Sequence, residues 1–233
     1  MTLARLVSTL QSAAYVYLVL SVALLGLGLG AALLSLRPSG PRLAPTASAL
    51  AGLSAVGIIL LLRLESIPLF LVVVAGATPF IFVGASVAAI FAQQPSRSGA
   101  LYWADLTGAG LGALLVLPAF DLWDVPGTGL GAALAFGGAA VLLQRHPLPI
   151  LACTVAGAVI VGGALTPLTE LNSRALAHKP IASALADGGR IVATRWDALT
   201  RTDVVYTPTS RSYALYMDGG AGSVIPDLAR PDL

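Results

Sequence analysis

Charge is missing from this chain in long blocks. No Asp, Glu, Lys or Arg occurs between Arg5 and Arg37, Arg42 and Arg63, Glu65 and Arg97, Asp124 and Arg145, or Arg145 and Glu170. Each block can hold the roughly 20 apolar residues that cross a hydrocarbon core about 30 Å thick. A sixth candidate, Ser98 to Pro118, is interrupted only by Asp105. Soluble domains carry about 25% charged residues. Here 10% are charged and 57% hydrophobic, so most of the chain reads as lipid-embedded.

Turn formers between the blocks set the expected span limits. The first span is predicted over Gln11 to Leu36, and Arg37-Pro-Ser-Gly-Pro-Arg42 ends it. The apolar stretch is longer than the about 7–15 residues of a signal-peptide core, so it reads as a retained span. The second runs from Ala44 to Leu62 and the third from Leu69 to Ala92, with Pro79 expected to kink the latter. After Gln93-Gln-Pro-Ser-Arg-Ser98 comes the fourth span. Asp121-Leu-Trp-Asp-Val-Pro126 reads as an interfacial connection, where Trp123 suits the headgroup region. A fifth span covers Gly127 to Leu143 and a sixth Leu148 to Leu165.

Past Pro167 the pattern changes to short alternating stretches. Leu168 to Ala186 fits a short amphipathic helix, while Arg190–Trp196, Asp203–Tyr206 and Arg211–Met217 fit strands. On the last strand Tyr213, Leu215 and Met217 share a face. Asp187-Gly-Gly189 and Thr207-Pro-Thr-Ser210 are the expected turns. The predicted fold class is therefore an all-α multi-pass membrane bundle of about six transmembrane helices, residues 1–166, followed by a short β-rich soluble segment, residues 167–233.

Several function classes lose support at this level. The net charge of +2 comes without a basic cluster, which argues against nucleic acid as a partner. Cys153 is the single cysteine, so no intrachain disulfide can form. His146 and His178 lack neighbouring ligands, and no metal site is expected. Basic residues do not orient the bundle. With six spans, Arg5, Arg63, Arg174 and Lys179 oppose Arg37, Arg42, Arg97 and Arg145, which is a tie under the positive-inside rule.

The most unusual membrane stretch is Leu101 to Ala113. Asp105 lies about one turn inside a lipid-spanning helix, where a carboxylate needs water, a donor or a partner. Two readings stand side by side. Asp105 can lock the helix end with Tyr102 or Arg97, or it can line a polar cavity in which Asp105 and Tyr102 bind substrate. Gly108 and Gly112 form a small-xxx-small face that allows close helix packing. Gly26-Leu-Gly-Leu-Gly30 and Gly127-Thr-Gly-Leu-Gly131 have apolar flanks and follow no soluble strand, which argues against nucleotide loops. Asp218-Gly-Gly-Ala-Gly222 follows a strand and reads as a tight turn. No catalytic residue is assigned.

Three segments together carry a family resemblance. Tyr102-Trp-Ala-Asp-Leu-Thr-Gly-Ala-Gly-Leu-Gly-Ala-Leu114 resembles a helix of membrane-embedded spermidine synthase-like proteins. Arg195-Trp-Asp-Ala-Leu-Thr-Arg-Thr-Asp-Val-Val205 is similar to the segment that opens their soluble part, with Thr194 where serine is usual. Leu215-Tyr-Met-Asp-Gly-Gly-Ala-Gly222 is similar to their strand and turn. The resemblance implies a transporter-like membrane unit joined to an aminopropyltransferase-like domain. That domain has a small β-part and then a Rossmann-like fold for an S-adenosylmethionine-type nucleoside. On this reading the nucleotide loop and catalytic aspartates belong to a downstream domain or subunit, and this chain alone is expected to be inactive and without cofactor. Asp197, Asp203 and Asp218 fall in the β-part, and Trp196, Arg201 and Asp203 are expected to form a structural cluster. The expected location is the cell membrane, with the soluble part cytoplasmic. The expected partners are the lipid bilayer, the catalytic half and further copies of the chain. The alternatives are a small-solute or cation transporter-like bundle, or a membrane scaffold.

Overall fold

A computed structural model describes residues 15–36, 40–61, 68–143, 157, 179–197, 200–220 and 222–226. Among these residues, four helices are long and apolar enough to cross a membrane. They are α1 (Tyr15–Ser35), α2 (Leu43–Leu61), α3 (Leu69–Gln93) and α4 (Ser98–Leu143), with a short 3-10 turn, Pro95–Arg97, leading into α4. At 1.5 Å per residue, the 19 residues of α2 reach about 29 Å, close to a hydrocarbon core. Their outward surfaces are apolar, with Leu24, Leu25, Phe70, Leu114 and Leu142 all exposed. Such a surface suits lipid.

Among the described residues the count falls short of the expected six. The 46 residues of α4 would extend about 69 Å if straight, twice the thickness of a bilayer core. The helix instead breaks at Asp124, whose φ of 55° and ψ of −176° are not helical. The predicted fourth and fifth spans are the arms 98–123 and 125–143 of this one bent element. The six-residue connection expected over Asp121–Pro126 shrinks to a single-residue kink, because Asp121, Leu122 and Trp123 stay helical. Pro126 tolerates the second position of the new helix, where its missing N–H has no partner to lose. The expected sixth span, with Cys153, lies outside the described residues apart from Gly157.

Spatial order differs from chain order. Helix α1 packs on α3, α3 on α2, and α2 on α4. The α1–α3 contact is unusually close. A Cβ at Gly26 would stand 3.0 Å from the Ala77 carbonyl oxygen, one at Gly30 would overlap the Ile81 carbonyl, and one at Gly84 would overlap that of Leu27. Gly26 and Gly30 are four apart and so share a face, which lets two backbones meet. Between α2 and α4, Gly52 faces the Ala133 carbonyl oxygen at 2.8 Å from its would-be Cβ. Val56, Ile59, Leu130 and Ala133 fill the space alongside, and Ala49 meets Ala140.

The C-terminal part is a short helix, α5 (Ile181–Ala186), and a four-stranded antiparallel sheet. Strands β1 (Arg190–Trp196), β2 (Arg201–Thr207), β3 (Ser212–Met217) and β4 (Gly222–Pro226) run in simple meander order. The expected amphipathic helix ends at Ala186 as predicted but begins only at Ile181 among the described residues, and 168–178 lie outside them. Strand β4 was not expected; its proline closes it after five residues. Alternation works as predicted on β3. Ala214 and Tyr216 pair with Val205 and Asp203 of β2, so Tyr213, Leu215 and Met217 occupy the other face. The domain core is Val205 against Ile181, with Ala184, Leu185, Ile191 and Tyr216 around them.

Candidate functional site

The first arm of α4 carries the residues singled out as a substrate site and packing face. Tyr102 is 57% exposed, and every residue from Tyr102 to Leu115 is exposed. No hydrogen bond or ion pair joins Asp105 to Tyr102 or Arg97 among the described residues. Asp105 and Tyr102 sit three positions apart on one helix. No described atom lies within 4 Å of a Cβ built at Gly108 or Gly112, so this face is open. The close backbone approaches are made instead by Gly26, Gly30, Gly52 and Gly84. The sequence carried that signal as the i, i+4 spacing of Gly26 and Gly30 inside an apolar run.

A polar clasp holds α2 to α3. Ser86 Oγ donates to the Ala44 carbonyl at 3.0 Å, and Ser48 and Ser86 hydroxyls lie 2.7 Å apart. Ser86 has one proton and spends it on Ala44, so Ser48 is the donor in the pair. Both serines are buried. At the kink, the Gly127 N–H donates to Asp124 Oδ1 at 2.8 Å, and Thr128 Oγ1 donates to the Asp124 carbonyl at 2.6 Å. Asp124 is thus the N-cap of the second arm, satisfying a donor that the helix cannot.

The densest polar cluster lies in the sheet. Alternation along β2 buries Arg201, Asp203 and Val205 on one face, and Arg201 and Asp203 are 4% and 0% exposed. Arg201 Nε and Nη2 donate to Asp203 Oδ1 at 3.0 and 2.9 Å. Thr194 on β1 pairs directly with Asp203, and its Oγ1 donates to the same oxygen at 2.7 Å. The guanidinium also lies over the Trp196 ring, 5.4 Å from its centre. The expected structural cluster of Trp196, Arg201 and Asp203 is present, and the hydroxyl of Thr194 is one of its members.

Asp218 anchors the neighbouring turn. It has a φ of 51° and Gly219 one of 70°, and the Gly220 N–H donates to the Met217 carbonyl at 2.9 Å. Two successive positive φ values with this bond make a type I′ turn, which favours Asp-Gly. The Arg201 N–H donates to Asp218 Oδ1 at 2.9 Å, and the Asp218 N–H returns a bond to the Arg201 carbonyl at 2.7 Å. Lys179 Nζ donates to the Asp218 carbonyl at 2.7 Å, and the Ile181 N–H to the Gly219 carbonyl at 3.1 Å. The turn therefore ties α5 to β2 and β3. Asp197 caps the β1–β2 turn by accepting from the Thr200 N–H at 2.6 Å.

The described residues contain no group of three or more His, Cys, Asp or Glu arranged to hold a metal ion. His146, Cys153 and His178 lie outside them. Comparison with known proteins finds no matching family model, curated protein or solved structure.

Proposed function

We propose that this chain is the membrane unit and leading β-unit of a spermidine synthase-like, aminopropyltransferase-like integral membrane protein. The observation that supports this reading most is the arrangement of two motif segments in one sheet. Arg195–Val205 supplies the end of β1 and most of β2, and Leu215–Gly222 supplies the second half of β3 and the turn bonded to Arg201. Both follow a set of long apolar helices, as the resemblance requires. In this reading the bundle has six spans and both ends face the cytoplasm, where S-adenosylmethionine-type nucleosides are found. Transfer chemistry belongs to a nucleotide-binding domain or subunit that works with this chain. The chain anchors that unit and contributes no catalytic residue of its own.

The test is to read the coding sequence after Leu233 and its neighbouring reading frames, and then assay the joined or co-expressed product. A strand, a glycine-rich loop and an acidic residue at the end of the next strand, together with aminopropyl transfer in membranes, are expected. Transferase activity or tight nucleoside binding by the present chain alone contradicts the proposal.

The scaffold reading has one observation in its favour, the open face at Gly108 and Gly112. Cysteine cross-linking between copies at Gly108 separates a self-associating scaffold from a monomeric anchor.

A further inference from the structure

The sheet has a covered face and a bare one. Val205, Ile191 and Tyr216 pack around Ile181 of α5 on the covered side. Residues paired across neighbouring strands share a face. Val204 with Leu215, and Tyr206 with Tyr213 and Ile225, therefore lie on the opposite side, and Met217 joins them across from Thr202. There Tyr213, Met217 and Ile225 are 37%, 52% and 45% exposed. Contiguous apolar surface of this kind marks an interaction site.

The same face carries two cations. Arg190 pairs with Tyr206 and Arg195 with Thr202, so both belong to this side, and both are exposed. The Arg190 guanidinium lies 5.7 Å from the centre of the Tyr206 ring. No acidic residue occupies a paired position on this face. Strand β1, which bears both arginines, also packs against α4, a helix apolar enough to cross a membrane. One occupant answers all three features. Anionic headgroups balance unopposed arginines, the headgroup boundary suits tyrosine and apolar side chains, and α4 holds the cationic strand beside the bilayer. A soluble partner would account for the apolar rows but not for the link between the cationic strand and a membrane helix. We propose that this face of the sheet rests on an anionic bilayer surface, with Arg190 and Arg195 at the headgroups and Tyr206, Tyr213 and Met217 at the acyl boundary. The inference rests on the helices lying in a bilayer and is independent of any transfer chemistry.

The test uses the full chain with Cys153→Ala, reconstituted in vesicles containing a lipid with a nitroxide headgroup as contact quencher. A bimane label on Met217→Cys reports the proposed face. Val224→Cys is the control, being 69% exposed and paired with Ala214 on the other side. In vesicles of phosphatidylcholine with phosphatidylglycerol, Met217→Cys should be quenched at least about twofold more strongly than Val224→Cys. Each arginine near an anionic surface shifts docking about fivefold, so Arg190→Gln with Arg195→Gln should lower the docked-to-free ratio about 25-fold. The two labels should then quench alike, and vesicles of phosphatidylcholine alone should have the same effect on the unsubstituted arginines. Equal quenching of the two labels in anionic vesicles overturns the proposal, as does a Met217→Cys signal indifferent to lipid charge. Shielding of Met217→Cys by a second copy, revealed by cross-linking between chains, overturns it too. A label on Leu114→Cys, exposed on α4, reports insertion through a nitroxide on the acyl chain. Without quenching there the membrane reading fails and the docking with it, whereas quenching there but not at Met217→Cys overturns the docking alone. The comparison of lipids needs no arginine variant, so it decides even where that variant does not fold.

Discussion

Substituting Gly30 with alanine tests the packing most sharply. The new Cβ would overlap the Ile81 carbonyl oxygen and lie 2.8 Å from the Ala85 nitrogen. Backbone atoms at that point cannot swing aside like the end of a side chain. Helices α1 and α3 must separate by on the order of 1 Å to restore ordinary contact, and a gap of that size forfeits about a quarter to a half of each dispersion well across the interface. Overpacking of this kind costs about 1–3 kcal/mol. Gly28 is the matched control, because no described atom lies within 4 Å of its would-be Cβ. Alanine there should be neutral or slightly stabilising through better helix propensity. The assay is reversible unfolding in mixed micelles, following helicity as the denaturing detergent fraction rises. Gly30→Ala should shift the midpoint down and Gly28→Ala should not. Equal midpoints for the two variants would refute the claim that Gly30 sets the α1–α3 distance.

Three further outcomes follow from named contacts and can be read in the same unfolding assay. Asp124→Ala removes the cap on Gly127 and should cost about 0.5–2 kcal/mol, while Asp124→Asn should retain most of it. Ser86→Ala breaks both bonds of the α2–α3 clasp and should cost about 0.6–1.7 kcal/mol, the range for hydrogen bonds between membrane helices. Asp203→Leu leaves Arg201 buried and unpaired and should cost about 3–5 kcal/mol, with much of the loss recovered when Arg201→Met is added.

How much of this was legible in the sequence depends on which interaction places each residue. Span positions α1 to α3 followed from charge-free blocks, since lipid punishes charge wherever it falls. The α4 kink was misplaced in extent. Asp121, Trp123 and Asp124 look alike as interfacial residues, and only the hydrogen bond from Gly127 distinguishes the one that breaks the helix. Strand β1 matched to the residue because a stretch rich in β-branched residues starts directly after the Asp187-Gly-Gly189 turn. Strand β4 has only Val224 and Ile225 as apolar positions and a proline at its end, so its existence rests on pairing with β3 rather than on its own composition. The Arg201–Asp203 pair was readable because i, i+2 residues share a strand face. Which carboxylate oxygen takes the donors was not, since that is decided by Thr194 across the strand. Asp105 and the Gly108–Gly112 face were conspicuous by residue type. Composition gives no sign of which helix lies beside them, and the close contacts went to Gly26, Gly30 and Gly84.

The central claim is that apolar helices hold the β-unit at the cytoplasmic face of a membrane. Single-cysteine labelling in intact cells, with Cys153 replaced by alanine, tests it directly. Ser223 on β4 is exposed and becomes the reporter in one variant, and Ser39 between α1 and α2 in the other. A membrane-impermeant maleimide added outside should label Ser39→Cys at once and reach Ser223→Cys only after the cells are broken open. Labelling of Ser223→Cys from outside intact cells contradicts the account.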